Sequence, residues 1–181
     1  MKAHWPISIL SSLSSLVSMA MPLILVRSLD PATLGSFKVF FLYLMVLPPL
    51  TFIAGVSNGL SYWAGHGEKG RKAIRVSAIL FLALASISLA LILLFKIPIS
   101  NGLHVDSAWI SLFGYALFLS IATLFYDDAA IATGRIWTGA IFNSGFEVFR
   151  ALAIVMTALL THDLFSIIKA HLFVQSIKIA P

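Results

Sequence analysis

Apolar residues fill long, nearly uninterrupted runs along this chain, and polar residues gather in short clusters between them. Each run approaches the roughly 20 residues that a helix needs to cross about 30 Å of hydrocarbon. The pattern predicts six helices, at about 7–26, 37–64, 76–95, 108–127, 136–160 and 164–181. The fold class is therefore all-α, a polytopic membrane bundle of about six transmembrane helices in a single lobe over 1–181.

The first break, Leu25 to Phe37, reads LVRSLDPATLGSF. Asp30-Pro31 breaks the first helix, Gly35 allows a turn, and Arg27 and Lys38 flank the connector at headgroup depth. The second run exceeds one bilayer crossing, and Pro48-Pro49 in its middle predicts a kink or local unwinding. Gly55 and Gly59 have a GxxxG spacing that lets another backbone come close. Asn58 is the one strongly polar side chain of this run, read either as an interhelical hydrogen bond or as the lining of a polar cavity. Ser8, Ser11, Ser12, Ser15 and Ser18 form a small, weakly polar face on the first helix, expected to pack against a neighbour. Ser18-Met19-Ala20 resembles a cleavage site, but the apolar stretch is longer than that of a signal peptide.

Composition agrees with the pattern. The chain has 181 residues, 60% hydrophobic and 10% charged, with a mean hydropathy of +1.00, whereas a soluble domain carries roughly 25% charged residues. Its formal charge of +5 lies mostly in connecting loops, where Lys and Arg set membrane orientation, so no nucleic-acid partner is expected. The absence of cysteine excludes disulfides, thiolate metal sites and a cysteine nucleophile. The five histidines are scattered, and neither a metal site nor a cofactor is expected.

Gly65 to Arg75, GHGEKGRKAIR, carries Lys69, Arg71, Lys72 and Arg75 against the single acid Glu68. It reads as a cytoplasmic loop, and it lacks the strand, helix and Lys-Ser/Thr ending of a P-loop. Lys96 to Ser107, with Pro98, Asn101-Gly102 and Asp106, reads as an external turn-rich link. With the N-terminus inside, Lys2, Lys69, Arg71, Lys72, Arg75 and Arg135 are cytoplasmic, and Arg27, Lys38 and Lys96 external. Six bases against three support that orientation. Asp127-Asp128 is not a catalytic pair, because adjacent helical residues diverge by about 100°.

The fifth run is the most informative. Asn143, Glu147, Arg150 and Thr157 recur at steps of four, three and seven, which places them on one helix face. Glu147 and Arg150 sit near its midpoint, where a charge costs roughly 2.5–3.5 kcal/mol on insertion scales. Two readings are open: the pair compensates itself at i, i+3, or it also lines a hydrophilic cavity. In the last run His171, Gln175 and Lys178 form a polar face, and Lys169 is a second intramembrane base if the segment spans. The alternative is a segment lying partly in the interface.

Arg27-Ser28-Leu29-Asp30-Pro31-Ala32-Thr33-Leu34-Gly35-Ser36-Phe37, after one membrane helix and before an aromatic-rich one, resembles the first external connector of polysaccharide-type flippases. These belong to the multidrug/oligosaccharidyl-lipid/polysaccharide exporter superfamily, in which Arg-x-Leu-x-Pro leads to Gly and then an aromatic. Here Asp30 replaces a small residue and Leu34 an aromatic. The basic loop after the second helix and Gly134-Arg135 also look like family features. The resemblance implies a membrane transporter, not an enzyme, that moves a lipid-linked oligosaccharide on polyprenyl pyrophosphate, an O-antigen or polysaccharide precursor, across the bacterial plasma (inner) membrane. It also implies two lobes across a cationic cavity, so this chain is expected to be an N-terminal lobe, truncated or paired with a second copy. Arg150 is then the first candidate for phosphate, since its planar fork suits a bidentate contact. Lys169 is second, Glu147 holds Arg150 and carries a coupling proton, Asn143 shares their face, Asn58 meets sugar hydroxyls, and Arg27 stands at the external mouth. The rivals are a cation-coupled drug antiporter of the same superfamily, with an acid-lined pocket, and a membrane-embedded glycan-modifying enzyme.

Overall fold

The computed structural model describes residues 4–50, 59, 62, 67–103, 106–133 and 136–179. Among them the chain is all helical: α1 (His4–Ser28), α2 (Pro31–Leu50), α3 (Gly67–Leu94), α4 (Lys96–Leu103), α5 (Ser107–Ala132), α6 (Ile136–Thr161) and α7 (Leu164–Ile179). Five of these helices, α1, α2, α3, α5 and α6, are long enough and apolar enough to cross a membrane. The sixth expected span, α7, is described over 16 residues, about 24 Å at 1.5 Å per residue. The chain divides into two compact units, Met1–Val39 with Gly134–Pro181, and Phe40–Thr133.

In the first unit α6 packs along both α1 and α7. Leu25, Ala151, Ile154, Ala158, Ile167, Ile168 and Val174 are buried, while Leu23, Met156 and Leu160 are exposed. Outer faces as apolar as the interior suit a hydrocarbon solvent, in which helices associate through close packing rather than water exclusion. The serine stripe does not fill the expected role. Ser11, Ser12 and Ser15 are exposed, and Ser14 is the buried serine; it shares a helix face with Leu25, eleven residues or about three turns on.

The connector between α1 and α2 is shorter than its composition suggests. Asp30 caps α2, its Oδ2 accepting from the Thr33 amide at 2.9 Å, and Pro31 takes the first helical position, where a missing N–H costs nothing. Gly35 makes no turn; it lies inside α2 with open space around it. Pro48 and Pro49 fall at the end of described α2, and residues 51–58, with Gly55 and Asn58, lie outside the described residues.

A second tight turn joins α6 to α7. His162 takes a left-handed φ of 51°, and its Nδ1 lies 2.7 Å from the Ser28 carbonyl oxygen. A carbonyl only accepts, so Nδ1 carries the proton. The contact brings the ends of α1 and α6 together, so these helices run parallel. Asp163 then caps α7: its carboxylate accepts from the amides of Ser166 (2.9 Å) and Phe165 (3.2 Å) and from the Ser166 hydroxyl.

In the second unit α3 packs along α5, and α4 rests on both. Gly114 of α5 permits the close approach, since a Cβ there would stand 3.0 Å from Ile92 Cγ2 and 3.2 Å from Leu89 Cδ1. Phe81, Ala85, Ala116, Leu117 and Ile121 are buried. Two segments read as loops are helical. Pro98 sits in the first turn of α4, where its missing N–H breaks no bond, and the basic stretch from Gly67 forms the first turns of α3, as straight-chain Lys and Arg readily do.

Two expectations follow. Gly114→Val should lower stability by about 1–3 kcal/mol through overpacking, read as a lower midpoint of thermal unfolding in detergent, whereas Gly35→Val should shift it far less. The Ser166 amide and hydroxyl hold the Asp163 carboxyl below its ordinary value of 3.8. Because the folded group ionises more readily than the unfolded one, the cap contributes fully above the unfolded value and fades as pH falls through the lower, folded value. Acid titration followed at the Ser166 amide by NMR should show this loss in the wild type and not in Asp163→Asn.

Candidate functional site

Within 26-residue α6, Glu147 and Arg150 stand on either side of the midpoint. They lie three residues apart, on one helical face, and Arg150 Nη2 donates to Glu147 Oε2. The pair is not sealed in a core: the side chains are 25% and 32% exposed. Two charges so placed in an apolar helix carry a desolvation cost that mutual pairing offsets only in part.

The neighbour that completes the cluster is α7. Lys178 Nζ donates to Asn143 Oδ1 at 3.1 Å, and Lys178 is buried despite its charge. His171 is 2% exposed and lies within electrostatic reach of Arg150. In an antiparallel helix pair, facing residues are displaced equally in opposite directions. Seven residues forward from Asn143 to Arg150 therefore match seven back from Lys178 to His171, and Glu147 and Gln175 fall between. The α6–α7 interface is thus a polar ladder inside an apolar hairpin.

The ladder is not fully satisfied. Among the described residues, Arg150 Nε and Gln175 Oε1 are buried polar atoms without a hydrogen-bond partner. A buried unmet donor or acceptor costs about 1–3 kcal/mol, so the site favours an arriving polar group that meets either. Thr157, on the same α6 face, makes no such demand, because its hydroxyl donates to the Ala153 carbonyl at 2.8 Å.

Of the six residues expected at the site, the structure groups three: Asn143, Glu147 and Arg150. Lys169 is not with them. It is exposed, its Nζ 4.9 Å above the Phe165 ring centroid, because two residues from His171 turn it about 200° around α7. Arg27 is exposed in the last turn of α1, at the end where α6 finishes. Arg150 lies eleven residues short of that end, about 17 Å of helical rise. Asn58 is outside the described residues. The residues that replace these, Lys178 and His171, belong to a polar face visible in the sequence. Aligning the 143–147–150 and 171–175–178 patterns across the turn at 162–163 would have paired them.

The chain matches no known protein family, no curated protein and no solved structure.

If Glu147 and Arg150 compensate one another, removing one charge leaves the other stranded. Glu147→Gln and Arg150→Gln should each lower unfolding stability in detergent by about 1–3 kcal/mol, and the double variant by less than the sum. A strictly additive double-mutant cycle would show that the two side chains do not interact.

Proposed function

We propose that this chain is part of a membrane transporter that moves a lipid-linked oligosaccharide, carried on polyprenyl pyrophosphate, across a bacterial plasma membrane. The observation that carries the reading is the partly exposed Arg150 at the midpoint of α6, paired with Glu147 and still holding an unmet donor at Nε. A pyrophosphate entering hydrocarbon needs fixed positive charge to replace its water, and a guanidinium supplies charge and directed N–H donors together. Glu147 orients that guanidinium and is the acid available to carry a coupling proton. Asn143, Lys178, Gln175 and His171 extend the polar lining along the hairpin, where sugar hydroxyls and phosphate oxygens both find partners. The N-terminus is cytoplasmic in this proposal, with Arg27 at the external mouth. A second lobe, from a longer chain or a second copy, faces this one across the passage.

Reconstitution of the full chain in vesicles with a fluorescent polyprenyl-pyrophosphate sugar tests it. The expected result is protein-dependent exchange of the label between leaflets without covalent change. Arg150→Ala should reduce this by at least about tenfold, the equivalent of one charge-assisted bond, and Arg150→Lys should retain part of it. Equal exchange by wild type and Arg150→Ala would remove the central residue of the mechanism, and chemical alteration of the sugar would turn the reading to an enzyme.

A further inference from the structure

The opening turns of α3 carry a second cationic feature, apart from the α6–α7 ladder. Lys69, Arg71, Lys72 and Arg75 line a concavity of about 690 Å³, within the roughly 300–1,000 Å³ range of small-ligand clefts. All four side chains are exposed. The steps of three from Lys69 to Lys72 to Arg75 form one ridge, and Arg71 and Arg75, four apart, close the adjoining one. Val76 opens the charge-free stretch that runs to Leu94, and the bases occupy the first two turns of the candidate span Lys69–Leu94, where Lys and Arg side chains reach the headgroup level.

We propose that this concavity binds the phosphate of an anionic lipid headgroup supplied by the surrounding bilayer. Four bases in the end turns of a candidate membrane helix match the density of charge that anionic headgroups select. Two of the four are arginines, whose forks grip phosphate oxygens in pairs, while the lysines act as point charges beside them. A lipid seated here keeps its acyl chains alongside the apolar turns of α3 and its phosphate among the bases, which a free phosphate does not do. The site is independent of the transport reading, because none of its residues belongs to the α6–α7 ladder.

The test uses the full chain in bilayers containing spin-labelled phosphatidylglycerol or phosphatidylcholine, with the motionally restricted lipid measured by electron paramagnetic resonance. The expected result is selection of phosphatidylglycerol by about fivefold, weakening as salt is raised. Lys69→Gln/Lys72→Gln and Arg71→Gln/Arg75→Gln should each lower the selection, and Arg71→Lys/Arg75→Lys should keep most of it. Equal association of the two lipids, or selection that salt leaves intact, would overturn the proposal without any variant having to fold. Displacement of the labelled lipid by soluble glycerol phosphate at matched concentration would overturn the lipid as occupant, and full selection retained by both glutamine double variants would overturn the site.

Discussion

A polar group that leaves water inside an apolar helix must find a partner within the protein, and that demand organises the part of this chain that carries chemistry. The Glu147–Arg150 pair meets it along one helix, and Lys178 with Asn143 meets it across two. The same rule governs weaker groups. The hydroxyls of Ser28, Ser36, Thr157, Thr161 and Ser176 all donate to a carbonyl one turn back on their own helix, which removes them from any search for outside partners. Satisfaction is therefore the default, and the unmet Nε of Arg150 and Oε1 of Gln175 stand out as departures in one place.

The acids obey the same economy. Four have described side chains, and each has an assigned partner: Asp30, Asp106 and Asp163 accept from amides at the start of α2, α5 and α7, and Glu147 accepts from Arg150. Capping places a negative charge where backbone N–H groups are unpaired and the helix dipole is positive. At two tight turns it also fixes where the chain reverses, and at the α6–α7 turn the cap sets the register of the polar ladder. A slip of one residue in that turn would rotate His171 and Lys178 by about 100° away from α6, and the ladder would lose half its members.

Much of the fold was legible, because lipid imposes a length on apolar runs that hydropathy reports directly. The first, third, fourth and fifth expected spans correspond to α1, α3, α5 and α6, each extended at one or both ends by amphipathic or capping residues. What failed was the reading of polar stretches as loops. Gly35 lies within α2 without breaking it, and Pro31 and Pro98 fall in first turns, where they help or do no harm. At the site, three of six expected residues came together, all from one helix, because spacing along a helix is a local property. Lys169 and Arg27 carry the expected charge in the expected segments, but neither property fixes the face or depth on which a side chain stands.

The sequence also contained the other half of the ladder, but in a form that only antiparallel pairing decodes. The polar face at 171, 175 and 178 has no meaning until the turn is fixed at two residues, His162 and Asp163. That turn depends on a histidine whose ring reaches the end of α1 and an aspartate that caps the next helix. One local feature thus decides whether Lys178 is a buried cation beside Asn143 or a charge turned toward lipid. The tertiary contact of highest consequence here spans 35 residues, and it is specified by the two that lie between the helices.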